Sequence, residues 1–191
     1  MPVTLKLPKV YKTLLMLAIV IGPFYWLTFT EDGRWRTDLA LMGFLGRPDF
    51  NAALESFTSH LTESELRSTF AKLDWQCSAG ANRFGNRHCA AMIGTFNQIP
   101  ARSAHLFFQG GALSAVKVVY QTAYHAQVRR WIERRAKTVQ QGALPSAIAD
   151  QGVIVQPVAG GVLLLPESAP SKEDEPALIW MAHEAMETAG E

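Results

Sequence analysis

The sequence predicts an α+β protein in which a single N-terminal transmembrane helix is followed by one domain of helices packed on a mostly antiparallel sheet. Three observations lead to this fold class. An uncharged apolar run covers Thr13–Thr30 near the start of the 191-residue chain. Beyond it, segments with apolar residues at helical spacing lie between segments with strand-like alternation. Finally, two Gly-Gly pairs each separate two strand-like runs, which is typical of hairpins.

The apolar run predicts a membrane anchor. A helix needs about 20 mostly apolar residues to cross a bilayer, and the stretch from Val10 to Thr30 is long enough. Three lysines precede the run, whereas Arg34 and Arg36 follow it among acidic residues. Because positive charge favours the cytoplasmic side, this bias predicts a cytoplasmic N-terminus and export of the rest of the chain.

A cleaved secretory signal is the main competing interpretation, since a charged start and an apolar core are typical of such signals as well. The residues that end the run, Phe24–Thr30, are mostly bulky and aromatic and lack an A-x-A-like cleavage site, so we favour the anchor. A buried helix of a soluble protein is the third alternative. We therefore predict a single-pass protein of a bacterial inner membrane, with residues 1–12 in the cytoplasm, 13–30 in the bilayer, 31–49 beside the membrane and 50–191 as a periplasmic α+β domain.

The charge balance and the cysteines restrict the chemistry of the exported part. A net charge of +1 gives no global field that would attract nucleic acid, so we predict no nucleic-acid partner. Cys77 and Cys89 are the two cysteines of the chain, and in an exported domain a disulfide is their simplest fate. A metal site with the adjacent His88 falls short of the four ligands of structural zinc, and two free thiols are the remaining alternative.

The first elements after the anchor are predicted to be helical. Apolar residues at helical spacing favour a helix over Phe50–His60. Thr62 and Glu65 form the Thr-x-x-Glu pattern of a capping box, which predicts a helix over Glu63–Leu73. The Gly, Asn and Ser content of Ser78–Arg87 then predicts a loop between the two cysteines.

Strands are predicted next. One covers Cys89–Phe96, and Gly110-Gly111 predicts the turn of a hairpin between two β-branched or aromatic runs. The second hairpin strand has apolar side chains on one face and a lysine on the other: Val116, Val118 and Tyr120, with Lys117 opposite.

The last third of the chain predicts a basic helix, a second hairpin and one further element. The helix covers Ala123–Val139, and the hairpin joins Val153–Val155 to Val162–Leu165. Ala177–Met186 has one apolar helical face after Pro176, which favours a helix. A strand over Leu178–Trp180 fits the same residues.

The segment Leu61–Tyr120 resembles a known small module. It has the capped helix, a Cys, a Gly/Asn-rich loop, a second Cys, and the strand Ser103–Phe108 followed by Gly111 and Leu113. This arrangement is similar to the β-lactamase inhibitor protein module and to lipoproteins of the outer-membrane BamE/SmpA group. The resemblance implies helices on one side of an antiparallel sheet and a role in binding proteins rather than in catalysis. This chain differs by its anchor and by its extension after Tyr120.

We find no catalytic signature in the sequence. His183 and Glu184 begin like the zinc motif H-E-x-x-H, but Glu187 stands at the place of the second His. The five histidines include no pair at ligand spacing on one predicted element, and neither a G-x-S-x-G turn nor a phosphate-binding loop occurs. We therefore predict no metal, no cofactor and no enzymatic activity. A hydrolase stays an alternative because Ser-His-Asp triads assemble from distant segments.

The basic helix is the best candidate for a partner surface. Arg130, Arg134 and Lys137 recur on one helical face, and Trp131 lies beside them. Such a face suits an acidic partner or lipid head groups. The alternatives are a solvated helix face and a Trp131 that belongs to the core. We predict that the protein is an accessory or scaffold subunit of a membrane protein complex in the envelope. A free-standing periplasmic binding or inhibitor module is the alternative.

Overall fold

The computed structural model describes residues 8–53, 56–136, 152–158, 160–171 and 174–188, and its fold is α+β. Contacts divide the chain into two compact units, Met1–Leu41 and Met42–Glu191. The first unit is helical. The second contains the sheet, and the candidate site lies there.

Two helices, α1 (Lys9–Phe29) and α2 (Glu31–Phe44), follow one another at the N-terminal end. α1 is long and apolar enough to cross a membrane, as a signal sequence also is, and none of its residues is buried. The Thr30 hydroxyl joins the helices because it donates to the Trp26 carbonyl (2.7 Å) and accepts from the Gly33 amide (3.0 Å). Position 33 needs glycine, since a Cβ there would lie 2.1 Å from the Trp26 carbonyl oxygen.

The second unit is built around a mostly antiparallel sheet. Its strands are β1 (Asp49–Phe50), β2 (Gln76–Asn82), β3 (Gly85–Met92), β4 (Thr95–Phe96), β5 (Ile99–Gln109), β6 (Ala112–Tyr120), β7 (Val153–Val158), β8 (Gly161–Pro166) and β9 (Ala177–Ala182). The main order is β1-β4-β5-β6-β9-β8-β7, and β3 joins β5 on one side and β2 on the other. Among the described strands, β1 and β4 form the one parallel pair. The helices of this unit are α3 (Glu63–Thr69), α4 (His125–Ala136) and α5 (His183–Thr188).

Several local predictions are confirmed. The hairpin β5–β6 turns at Gly110 and Gly111, whose φ angles of +61° and +89° favour glycine. The second hairpin is β7–β8. The capping box of α3 is present: Thr62 Oγ1 accepts from the Glu65 amide (3.3 Å), and the Thr62 amide donates to the Glu65 carboxylate (2.9 Å).

The two faces of the sheet differ in burial, as β9 shows. Leu178, Trp180 and Ala182 are at most 3 % exposed, whereas Ile179 and Met181 between them are half-buried. The cross-strand pairs extend the two faces into β6, β8, β5 and β3, although Ala115, Val119 and Val162 on the side of Ile179 are also buried. We call the side of Trp180 the core face and the side of Ile179 the open face.

An aromatic cluster joins the core face to the helices. The Phe50 ring lies within 6.1 Å of four other rings: Phe57, Phe70, Trp75 and Phe96. From there, Phe57 contacts Trp180 of β9, and Phe96 contacts Trp131 of α4. The segment before α3, the end of α3 and α4 therefore share one core with the core face.

Three predicted elements are wrong. Ser78–Arg87 was expected to be a loop but lies largely in the hairpin β2–β3, since small and polar residues suit an exposed edge strand such as β2. Phe50–His60 is not a helix, because Phe50 and Phe57 enter the core from β1 and irregular chain. Ala177–Met186 begins as the strand β9, as the alternative over Leu178–Trp180 predicted, and α5 follows only from His183.

Two further helices differ in their bounds. The capped helix is shorter than the predicted Glu63–Leu73 and ends at Thr69. The basic helix begins at His125 after a 3-10 turn over Thr122–Tyr124. Its predicted end at Val139 lies outside the described residues.

Candidate functional site

The two cysteines form a disulfide, as predicted. Cys77 and Cys89 are direct cross-strand partners on β2 and β3, and the Cys89 side chain is fully buried on the core face. The Glu63 carboxylate of α3 lies close to both sulfurs. It is engaged by the Arg87 guanidinium, and this hydrogen bond holds the Glu63 pKa below its usual value. With the sulfurs joined to each other, this cluster is a structural staple rather than a set of metal ligands.

The most distinctive polar feature is a hydrogen-bonded chain on the open face, which we call the histidine chain: Ser103, His105 and His88. His105 Nε2 lies 2.9 Å from Ser103 Oγ, and His105 Nδ1 lies 3.0 Å from His88 Nε2. The two imidazole rings are almost parallel, and their centroids are 5.2 Å apart. That separation equals the hydrogen bond plus two ring radii of about 1.1 Å, so the rings meet edge to edge rather than stacked.

The register between strands β3 and β5 positions the histidine chain. Ser103 and His105 are two residues apart on β5 and share a face, and Phe107 is the next residue of that face. His88 of β3 is the cross-strand partner of Phe107, which makes it a diagonal neighbour of His105. The His88 ring also lies 4.8 Å from the Phe107 ring, almost parallel to it, which fixes its orientation.

The electrostatics around the histidine chain favour neutral imidazoles. Burial lowers the pKa of both His88 and His105, and the nearby Lys117 ammonium lowers both further. Lys117 is the cross-strand partner of His105 and forms an ion pair with Glu175 at 2.6 Å. That ion pair lowers the Glu175 pKa, and the carboxylate in turn opposes part of the shift at His105.

The histidine chain has the arrangement of a nucleophile, a base and a group that orients the base. In the tautomer with the His105 proton on Nδ1, that proton is donated to His88 while Nε2 accepts from the Ser103 hydroxyl. His88 then does what a carboxylate does in many triads, since it holds the base in one tautomer.

A second buried pair lies on the opposite side of the sheet. The Tyr120 hydroxyl and His125 Nδ1 are 2.7 Å apart, and burial raises the pKa of Tyr120 to about 12. Burial also lowers the His125 pKa, an effect that Arg129 increases and the Glu167 backbone opposes. The pair fixes the start of α4 against the end of β6.

A cleft of about 510 Å³ lies where the tips of two hairpins meet the start of α5. Its apolar wall includes Phe84, Leu113 and Ala182. Its two charged groups already have contacts: the Arg83 guanidinium lies 4.7 Å from the Phe84 ring centre, and Glu184 accepts from Ser59 at 3.3 Å. The cleft has the size of a small-molecule site but contains no aligned nucleophile and base among its described lining residues.

The residues predicted for partner binding differ in their exposure to solvent. Arg130 and Arg134 are exposed on α4, whereas Trp131 is 4 % exposed and its ring contacts Phe96. Trp131 therefore lies in the core in this structure, which was the alternative for this residue. Lys137 lies outside the described residues.

Compared with known proteins, the chain matches no family model, no curated protein and no solved structure. The resemblance of Leu61–Tyr120 to the inhibitor and BamE/SmpA modules therefore stays a prediction. Sequence reasoning missed the histidine chain because the predicted strand began at Cys89, one residue after His88. Extending that strand back to Gly85 places His88 on the face of Met92, but the pairing with His105 also requires the register between β3 and β5.

Proposed function

We propose that the protein is anchored in a bacterial inner membrane by α1, with its N-terminus in the cytoplasm, and that its α+β domain binds a partner protein in the periplasm through the open face. The observation that carries this is the asymmetry of the sheet. Among the described helices, α3 and α4 contact the core through the Glu63–Arg87 ion pair and the Trp131 ring, and the open face keeps half-buried apolar side chains such as Ile179, Met181 and Leu164.

The anchor is supported by α1 itself. Its large apolar side chains, from Val10 to Phe29, are between 37 % and 68 % exposed, which costs a soluble protein free energy and suits a bilayer. The disulfide fits an oxidising compartment such as the periplasm.

The partner we propose is a protein of the same envelope complex, with an apolar centre and hydrogen-bonding groups at its margin. The open face has the matching pattern. Its apolar part is formed by β9 and β8, with Met92 64 % exposed on β3, and its polar part contains His88, His105 and Lys117. Among the described residues, Lys117 is paired with Glu175, so the imidazoles are the groups that offer hydrogen bonds to a partner. Apolar contact supplies affinity, and these hydrogen bonds supply orientation.

The test is co-purification of the full-length chain in mild detergent, with variants chosen by face. Ile179→Lys with Met181→Lys places two charges on the open face and leaves the core face intact. We expect a stoichiometric membrane partner with the wild type and its loss with this variant. Arg67→Glu, on the exposed side of α3, is the control and should keep the partner. Loss with the control, or retention with the double variant, would overturn the proposal.

An anchor exchange separates an accessory subunit from a free-standing binding module. Replacing residues 9–29 by an unrelated transmembrane helix should abolish co-purification if the anchor itself packs against the complex. If the partner is retained, the domain binds alone, as a binding or inhibitor module would.

A second candidate, an envelope hydrolase, is favoured by the histidine chain. Ser103 Oγ would attack an ester carbonyl and pass its proton to His105 Nε2. The carbon–oxygen bond to the alcohol then breaks, and the alcohol leaves with that proton. Water attacks the acyl-serine through the same base, which releases the acid and restores the Ser103 hydroxyl.

A fluorophosphonate probe distinguishes this candidate. Hydrolase activity predicts labelling of the wild type and of Ser68→Ala, a control at an exposed serine of α3, and none of Ser103→Ala. His88→Gln should slow labelling, because the base loses its orienting partner. Absence of wild-type labelling would reject the hydrolase.

A further inference from the structure

The exposed arginines of α4 face a cavity of about 560 Å³ between α4 and β7. Three guanidinium groups line it, from Arg129, Arg130 and Arg134. Ile154 is half-buried and forms the accessible apolar part of the wall, whereas Ile132 also lines the cavity but is only 2 % exposed. Arginine side chains therefore lie beside one accessible apolar side chain, and we call this cavity the arginine cleft.

The charge in the arginine cleft is only partly compensated. Arg129 pairs with Glu133 at 3.4 Å, one helical turn away. Among the described residues, neither Arg130 nor Arg134 has an acidic partner, and Glu133 is the one carboxylate in the lining. Three cations against one anion leave a site that attracts a group of opposite charge. Guanidinium groups bind phosphate and carboxylate oxygens in a bidentate manner, so the apolar Ile154 beside them, rather than the charge alone, favours a lipid headgroup.

We propose that the arginine cleft binds the phosphate headgroup of an anionic phospholipid. Arg130 and Arg134 hold the phosphate, and Ile154 contacts the glycerol and the first carbons of an acyl chain. Ile154 distinguishes a lipid from free phosphate, because its burial against an inorganic ion gains nothing. The choice of a lipid rests on the proposed membrane anchor, which puts anionic lipids within the protein's surroundings.

The experiment is calorimetric titration of the full-length chain in nanodiscs of zwitterionic phosphatidylcholine. The probes are dihexanoyl phosphatidylglycerol, dihexanoyl phosphatidylcholine and inorganic phosphate. We expect saturable binding of the phosphatidylglycerol alone, at one molecule per chain. The short-chain lipid partitions into the disc equally for all variants. The difference in binding between variants therefore measures binding at the arginine cleft.

Arg130→Gln with Arg134→Gln should weaken that binding at least about tenfold, the loss expected for charge-assisted contacts. The matched control, Arg67→Gln with Arg102→Gln, removes the same charge from two exposed arginines elsewhere and should bind like the wild type. Arg130→Lys with Arg134→Lys keeps the charge but loses the bidentate geometry, and should bind with intermediate affinity.

Three results would overturn the proposal: equal binding by the glutamine variant and its control, equal binding of phosphatidylcholine, or binding of inorganic phosphate as tight as that of phosphatidylglycerol. Ile154→Ser gives an independent check, since it removes the apolar contact, keeps Arg130 and Arg134, and should weaken the binding of phosphatidylglycerol. The open-face variant Ile179→Lys with Met181→Lys keeps the arginine cleft. If that variant loses the partner but still binds the lipid, the two sites are independent. A failure of the lipid proposal can then be told apart from a failure of the proposed partner surface.

Discussion

The core face and the open face of the sheet are made from the same strands, yet they have different physical roles. On β9, Trp180 is 1 % exposed and contacts Phe57, while its neighbour Ile179 is half-buried. The aromatic cluster and the disulfide lie on the core face. The histidine chain and the apolar half-buried side chains lie on the open face. We infer that stability depends mainly on the first face, and that the second is available for recognition.

The largest expected effect comes from Trp180→Ala. Removing a fully buried aromatic side chain costs about 3–5 kcal/mol through lost burial and the cavity left behind. Ile179→Ala removes a smaller, aliphatic group from the adjacent residue and should cost under about 1.5 kcal/mol, because fewer atoms are removed and Ile179 is already partly exposed. Chemical denaturation of the full-length chain in mild detergent gives both values. Equal losses would show that both faces are covered in solution.

The sequence predicted local features of the structure better than features that depend on distant contacts. Local signals succeeded where the chain chooses its own conformation: Thr62 and Glu65 marked the start of α3, and Gly110-Gly111 marked a hairpin. Val116 and Val118 share the core face and Lys117 lies opposite, as predicted, but β6 is not half-buried, because Ala115 and Val119 on the face of Lys117 are also buried.

Sequence reasoning failed where distant contacts decide the structure. Phe50 and Phe57 have helical spacing, yet both enter an aromatic cluster assembled from β4, β9 and the residues that follow α3. The histidine chain depends on the register between β3 and β5, which no single segment encodes. The arginine cleft depends on β7 lying beside α4, although the charges that line it were recognised from the sequence.

The disulfide gives the second-largest expected effect. Cys77→Ala with Cys89→Ala removes a bridge between partners 12 positions apart, and in the chain-entropy model this costs about 2–3 kcal/mol. The loss should fall on β2, an exposed strand that pairs with β3 alone among the described strands. Hydrogen exchange is expected to increase in β2 while β9 stays protected. Equal exchange in both strands would show that the bridge supports the whole sheet.

The cap of α3 should have a smaller effect, although α3 also covers the core face. Thr62→Ala removes the oxygen that accepts from the Glu65 amide, and loss of such a cap costs about 1 kcal/mol. Thr62→Ser keeps the hydroxyl and should retain most of the wild-type free energy of unfolding. If the alanine and serine variants are equally destabilised, the lost methyl group rather than the hydrogen bond is responsible.

The smallest effect on stability is a pH dependence that originates on the open face. The pKa values of His88 and His105 are lowered by burial and by Lys117, with Glu175 opposing the shift at His105. Below the unfolded value of about 6.5, the unfolded chain therefore binds more protons than the folded one. The stabilisation is fully present above that pH and is lost as pH falls through the lower folded pKa values.

His88→Gln with His105→Gln tests this origin. We expect the free energy of unfolding of the wild type to fall between pH 7 and pH 5, and the slope to be shallower in the variant. Some slope should remain, because burial also lowers the pKa of His125 on the other side of the sheet. Glu63 does not interfere, since its carboxylate titrates below its ordinary value of 4.5. An unchanged slope would assign the pH dependence to His125 and hence to the core. The two histidines of the open face would then make no contribution to the pH dependence of the free energy of unfolding.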